Sequence, residues 1–274
     1  MNAGFSQLLK IISAHSRICV ALSGGTDSAL LLYAAVRALG AENVIAVTAV
    51  SPLMPHNDKN DADALCERLG VRHMIYTFDP FSVEGFCGNP PDRCYICKKA
   101  LFGGIIGAAA EQGFPVVAEG TNADDVSDYR PGMRALEELG VLSPLREAGL
   151  TKAEIRELSA YFSLPTADKP AGACLATRIN TGDEITKNRL ALAGGAEEIL
   201  HGLGFAASRV RLGFLNNGTV ARIEVSPEDM PGIVGEENRH AITGGLKKLG
   251  FKYVTLDLEG YRHEHALSID PSSA

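Results

Sequence analysis

From residue 17 to residue 40 the chain reads RICVAL, SGGTDS and ALLLYAAVRALG without interruption. A β-branched apolar run, a two-glycine turn and a long apolar helical pattern predict strand, turn and helix in that order. The turn then lies at a helix N-terminus, where unpaired backbone N–H groups favour an anion. Gly24 and Gly25 permit close backbone approach, and Ser23 and Ser28 add hydroxyl donors. Asp27 can hold a magnesium ion on phosphate oxygens. The turn has neither the lysine of GxxxxGK[ST] nor the spacing of GxGxxG, the two familiar nucleotide loops.

The alternation continues. NVIAVTAV and RHMIYTF read as strands on either side of the helical DKNDADALCERLG, with Gly40 and Gly70 placed to close helices in a left-handed conformation. Residues 98–113 read as a further helix and PVVAEG as a buried strand. Short apolar strands separated by helices predict a doubly wound parallel sheet covered on both faces, with its ligand site at the C-terminal strand ends. EGTNADD, residues 119–125, follows one such end, so Gly120 and Thr121 join Ala21 and the SGGTDS residues as nucleotide-site candidates. Thr151 with Glu154 three residues on has the pattern of a capping box. Beyond the irregular stretch around Pro165, Pro170 and Cys174 the pattern changes to helix, alternating strands, helix and strand. The domain reading is therefore an α/β domain over 1–170 and a smaller α+β domain over 171–274.

Composition limits the partners. The 274 residues carry a formal net charge of −7, which argues against broad binding to nucleic acid. No apolar run is long enough to span a membrane, and the start lacks a cleavable signal pattern, so a cytoplasmic chain is expected. Of six cysteines, Cys19, Cys66 and Cys87 are isolated, and Cys94 and Cys97 form a CxxC in DRCYICKK. Such a pair can share a zinc, bind an iron–sulfur cluster or form a redox disulfide. No second CxxC or nearby histidine pair completes a zinc site, whereas Cys174 in KPAGACLATR could supply a third thiol. Three cysteines on a four-iron cluster leave one iron open to an exogenous sulfur or substrate. In SRVRLGF, alternation puts Arg209 and Arg211 on one face, roughly 6.5 Å apart, close enough to clasp one phosphate. Arg178 is a third cation, and Glu197, Glu198, Glu224 and Asp229 are acidic candidates for metal or intersubunit contacts.

SGGTDS behind an apolar strand resembles the PP-loop of the ATP pyrophosphatases, a resemblance that covers roughly residues 1–165. It implies that the loop holds pyrophosphate as a leaving group while the substrate attacks the α phosphate. SGGTDS, DRCYICKK, EGTNADD, DYRPGMRA, SPL, ACLATRI, RVRLG, ARIEV and LDLEGYR, in this order, extend the resemblance to ATP-dependent sulfur transferases of the LarE type. Those enzymes insert sulfur into pyridinium-3,5-biscarboxylic acid mononucleotide for the nickel-pincer nucleotide cofactor. The resemblance implies ATP and Mg2+, a mononucleotide whose phosphate meets Arg209 and Arg211, and sulfide or another sulfur donor. It also implies a homo-oligomer, a ring of six. For sulfur delivery it implies a [4Fe-4S] cluster on Cys94, Cys97 and Cys174, or sacrifice of the sulfur of Cys174 alone. Presence of the CxxC favours the cluster. A tRNA thiolase and a non-catalytic ATP sensor are the competing readings.

Overall fold

A computed structural model of the chain describes residues 3–54, 58–127, 131–167, 169 and 172–261. Residues 128–130 of DYRPGMRA and Arg262 of LDLEGYR lie outside them. The chain divides into two compact units. The first is Met1–Cys174 with Thr181–Ile185, and the second is Leu175–Asn180 with Thr186–Ala274. The break therefore falls after Cys174 rather than after residue 170, and the chain returns once to the first unit.

The first unit runs α1 (Ala3–Ile12), β1 (Ile18–Ala21), α2 (Thr26–Leu39), β2 (Val44–Val50), α3 (Asp58–Leu69), β3 (Arg72–Thr77), α4 (Arg93–Glu111) and β4 (Val117–Ala118). Three helices follow: α5 (Pro131–Glu138), α6 (Pro144–Glu147) and α7 (Lys152–Tyr161). Its sheet has the order β3-β2-β1-β4 and every pairing is parallel. Alternation along the strands divides the core in two. Ile18, Val20, Val44 and Ala46 pack with Phe5, Leu8, Leu31 and Ile155. Cys19, Ile45 and Val47 instead join Phe102, Ile105, Phe114 and Leu136. Helices thus cover both faces, as the apolar strands require.

Local details correct the sequence reading in three places. Gly40 has φ 83° and ψ 150°, so it is not a left-handed cap; it turns the chain directly into a short 3-10 turn at Ala41–Asn43. β4 is only two residues long, although PVVAEG reads as a full strand. Helix α4 begins at Arg93, so Cys94 and Cys97 lie inside its first turns rather than ahead of it. The capping box is present, with Thr151 Oγ1 accepting from the Glu154 N–H and the Glu154 carboxylate accepting from the Thr151 N–H.

The second unit contains a 3-10 turn at Leu175–Arg178, α8 (Lys187–Gly202), β5 (Arg209–Leu215), β6 (Gly218–Glu224), α9 (Met230–Val234), α10 (Glu236–Leu249) and β7 (Tyr253–Leu256). β5 and β6 pair antiparallel, and β6 and β7 pair parallel across the α9–α10 connection. Among the described residues no helix is long and apolar enough to cross a membrane.

Leu31 is wholly buried in the first core. Leu31→Ala is expected to destabilise the chain by about 3 kcal/mol, because the cavity cannot collapse around a helix fixed against the sheet. Thr151→Ala should cost about 1 kcal/mol through loss of the cap. Urea unfolding followed by circular dichroism measures both.

Candidate functional site

The turn between β1 and α2 closes upon its own serines. The Ser23 N–H donates to Ser28 Oγ at 3.2 Å, the two hydroxyls are 3.1 Å apart, and Ser28 Oγ donates to the Gly25 carbonyl at 3.1 Å. Gly24 takes φ 78°, a left-handed backbone that suits glycine. Gly25 is the N-cap of α2, and no side chain caps that helix. The first-turn N–H groups are therefore left for an outside acceptor, the condition for an anion site at a helix N-terminus. Ala21, the last residue of β1, pairs with Val47 and delivers the chain into this turn.

Gly120 makes the site compact. A Cβ there would lie 3.0 Å from the Ser28 nitrogen and 3.3 Å from the Asp27 carbonyl carbon, so the turn after β4 rests on the backbone that opens α2. That turn is stiffened by Glu119, a buried carboxylate that accepts from the Thr121 N–H at 3.0 Å, the Thr121 hydroxyl at 2.8 Å and the Ser143 hydroxyl at 2.7 Å. Thr121 therefore serves first to shape the turn. Asn122 and Asp125 continue it, with the Asn122 N–H donating to Asp125 Oδ2 at 3.0 Å.

Asp27 is held by a cation that the motif does not contain. Lys152 Nζ, from the first turn of α7, donates to its Oδ2 at 3.2 Å, while Oδ1 is buried with no hydrogen-bond partner. Burial raises the Asp27 pKa from 3.8; Lys152 opposes this and Asp125 adds to it. An unpartnered carboxylate oxygen beside an anion loop has the chemistry to accept Mg2+. Lys169 contributes a second cation, donating through Nζ to the Gly24 carbonyl at 3.0 Å and pairing with Asp61. Sequence reading missed both lysines as site residues. Lys152 was visible only as part of a capped helix, and Lys169 only as the residue before Pro170.

Cys94 and Cys174 are exposed, and Cys97 is half-buried. Burial pushes the Cys97 thiol up to about 12, and the Cys174 and Cys94 thiols push in the same direction, so the three are electrostatic neighbours within the first unit. The Arg93 guanidinium reaches Cys94 Sγ at 3.7 Å. Three thiols are suitable donors for an iron–sulfur cluster. Among the described residues, however, no group of three or more His, Cys, Asp or Glu side chains is gathered so that it could hold a metal ion. Cys19 and Cys66 are buried, and burial pushes both up to about 12, as expected of packing residues.

In the second unit the predicted cations are drawn into internal contacts. Arg178 is buried, and donates to both Glu197 oxygens at 2.6 and 3.1 Å. Glu197 also accepts from the Val210 N–H at 3.0 Å. Arg211 donates to Glu224 at 2.6 Å and to the Thr177 carbonyl at 2.8 Å. Arg209 is 9% exposed rather than on a solvated face, and lies 4.5 Å from the centroid of the Tyr261 ring. Burial and then Arg178 lower its pKa. Glu197 and Glu224 are thus arginine partners, whereas Glu198 is exposed and Asp229 half-buried.

A parallel sheet that delivers an uncapped helix N-terminus to SGGTDS defines a PP-loop ATP-pyrophosphatase domain, and a family model described as NAD synthase matches residues 5–84. An uncharacterized protein of Synechocystis sp. is 39% identical over 96% of this chain and 96% of its own. The pyridinium-3,5-bisthiocarboxylic acid mononucleotide synthase of Lactiplantibacillus plantarum is 36% identical over 93% of this chain and 90% of its own. A tRNA-specific 2-thiouridylase MnmA of Bradyrhizobium sp. is 29% identical over 56% of this chain and 48% of its own. The chain belongs to the LarE-type family of ATP-dependent sulfur-transferring enzymes.

Gly120→Ala is expected to shift the opening of α2 and to weaken nucleotide binding by about tenfold or more, with the far-ultraviolet spectrum unchanged, as calorimetric titration with MgATP would show. Asp27→Asn should abolish Mg2+-dependent nucleotide binding yet raise the melting temperature at neutral pH. In the native fold the raised pKa makes the ionised carboxylate costly, so stability falls as pH rises from 3.8 through the native value. The advantage of Asn over Asp must therefore shrink as the pH is lowered through that window.

Proposed function

We propose that this enzyme activates a carboxylate of pyridinium-3,5-biscarboxylic acid mononucleotide with MgATP and replaces the adenylate with sulfur, a step toward the nickel-pincer nucleotide cofactor. What carries the reading is that SGGTDS and the three thiols lie in one unit of a chain aligned over nearly its whole length with a bisthiocarboxylic acid mononucleotide synthase. The tRNA thiolase reading is weaker: the MnmA alignment spans about half the chain, and the net charge is −7.

A carboxylate oxygen attacks the α phosphorus, and the bond to the β-phosphate bridging oxygen breaks. Pyrophosphate leaves onto the backbone N–H groups of residues 24–28, with Lys152 and Lys169 nearby to offset its charge. Asp27 would hold Mg2+ through the oxygen that has no hydrogen-bond partner, where the ion would offset charge on the phosphates. A sulfur nucleophile then adds to the acyl carbon, and AMP departs with the former carboxylate oxygen, leaving the thiocarboxylate. Arg209 and Arg211 are assigned to the phosphate of the mononucleotide, with Arg178 as the cation beside them. The working form in this reading is a homo-oligomer, a ring of six.

Cys94, Cys97 and Cys174 are the residues that would hold a [4Fe-4S] cluster, which would supply an inorganic sulfur nucleophile at its open iron. In the alternative, Cys174, which is exposed, gives its own sulfur and becomes dehydroalanine.

Anaerobic purification, iron reconstitution and mass measurement after turnover separate the two. The expected result is visible cluster absorbance lost in Cys94→Ala, Cys97→Ala and Cys174→Ala, with pyrophosphate formed only when the dicarboxylate is present. Iron-free wild type whose Cys174 loses the mass of hydrogen sulfide would establish the sacrificial route. Tight ATP binding with no pyrophosphate under either condition would overturn the enzymatic reading.

A further inference from the structure

The segment that leads from α7 to Cys174 is fastened to the anion loop at two points. Thr26 Oγ1, in the first turn of α2, donates to the Thr166 carbonyl at 2.7 Å, and both residues are buried. Lys169 Nζ donates to the Gly24 carbonyl at 3.0 Å and pairs with Asp61 on α3. From the other side, the Arg156 guanidinium of α7 donates to the Lys169 carbonyl at 3.2 Å. The backbone at Thr166 and at Lys169 is therefore held between the loop and α7. Cys174 follows Lys169 by five positions (174 minus 169). Five residues reach at most about 17 Å when extended, so fixing Lys169 confines the thiol to that radius around the strap.

The chemistry of the strap makes it responsive. Its Lys169 ammonium sits on the carbonyl of Gly24, inside the turn where an anion would be received. A polyphosphate seated on the first N–H groups of α2 attracts that ammonium, and with it the segment bearing Cys174. Thr26 adds a second coupling, because it precedes Asp27 in the same helical turn and its hydroxyl shares the Thr166 carbonyl with the Lys169 N–H, which donates to it at 3.1 Å. Neither contact is needed to build the sheet or to cap a helix.

We propose that Thr26 and Lys169 are positioning residues that couple filling of the anion loop to the placement of Cys174. This rests on the reading that the loop takes MgATP and that Cys174 takes part in sulfur transfer. Activation of the carboxylate and presentation of the thiol are then ordered events: the strap tightens when nucleotide binds, and Cys174 is drawn in only once the loop is filled.

The test is the rate at which iodoacetamide modifies Cys174 in the full, metal-free chain, followed by peptide mass spectrometry with and without a MgATP analogue that carries a methylene between its α and β phosphorus atoms. In the native chain the analogue should slow modification of Cys174 by about fivefold, the low end of coupling between linked sites. In Thr26→Val the analogue should still bind by calorimetry, with the two modification rates equal; Thr26→Ser should keep the native ratio. If Thr26→Val does not fold, Arg156→Gln, which removes the donor to the Lys169 carbonyl, is read in the same way. Analogue binding with no change at native Cys174, or an unchanged ratio in the variants, overturns the coupling and leaves the ATP reading intact. Failure of the native chain to bind the analogue overturns both.

Discussion

The close approach of Gly120 to the opening of α2 is the constraint on which the site depends. No side chain fits between that turn and the Ser28 nitrogen, so the backbones of two separate βα connections lie against each other. The contact brings the Glu119 network, the uncapped helix start and Asp27 into one place. It is affordable only because neighbouring parallel strands β1 and β4 end side by side, which in turn follows from apolar strands that must be covered on both faces.

Seen from that contact, the missing lysine of the loop is replaced rather than absent. Lys152 arrives on α7 and Lys169 on the segment beyond it, both far away in the chain, and each takes an oxygen of the loop: a carboxylate oxygen of Asp27 and the carbonyl of Gly24. A lysine inside the loop would be a fixed part of the phosphate cradle. Cations that come from elements outside the loop can respond to what the loop holds, and one of them lies on the path to Cys174. The geometry thereby suits an enzyme in which nucleotide chemistry precedes a second, different bond-making step.

The parts of the fold governed by local pattern were legible. Strand, turn and helix around SGGTDS and the capping box at Thr151 follow from hydrophobic period and from cap chemistry, and these depend on near neighbours. What was not legible depended on partners distant in sequence. Lys152 and Lys169 gave no local signal, since a lysine in the first turn of a helix or before a proline reads as surface. Arg178, Arg209 and Arg211 gave a signal, but alternation on a strand could not reveal that Glu197 and Glu224 already hold two of them, or that Arg209 is buried against Tyr261. The start of α4 was placed too late because its N-cap, Asp92, makes no side-chain cap bond, and the helix begins at Arg93 and takes the CxxC into its first turns.

The central claim is that the carboxylate attacks the α phosphorus and the loop retains pyrophosphate. The most direct measurement uses dicarboxylate substrate labelled with oxygen-18 in its carboxylates, followed by mass spectrometry of the nucleotide product after a single turnover. One labelled oxygen in AMP, with none in pyrophosphate, is the predicted result, because AMP leaves with the oxygen that formed the acyl-adenylate bond. Unlabelled AMP, or label recovered in inorganic phosphate beside ADP, would contradict it.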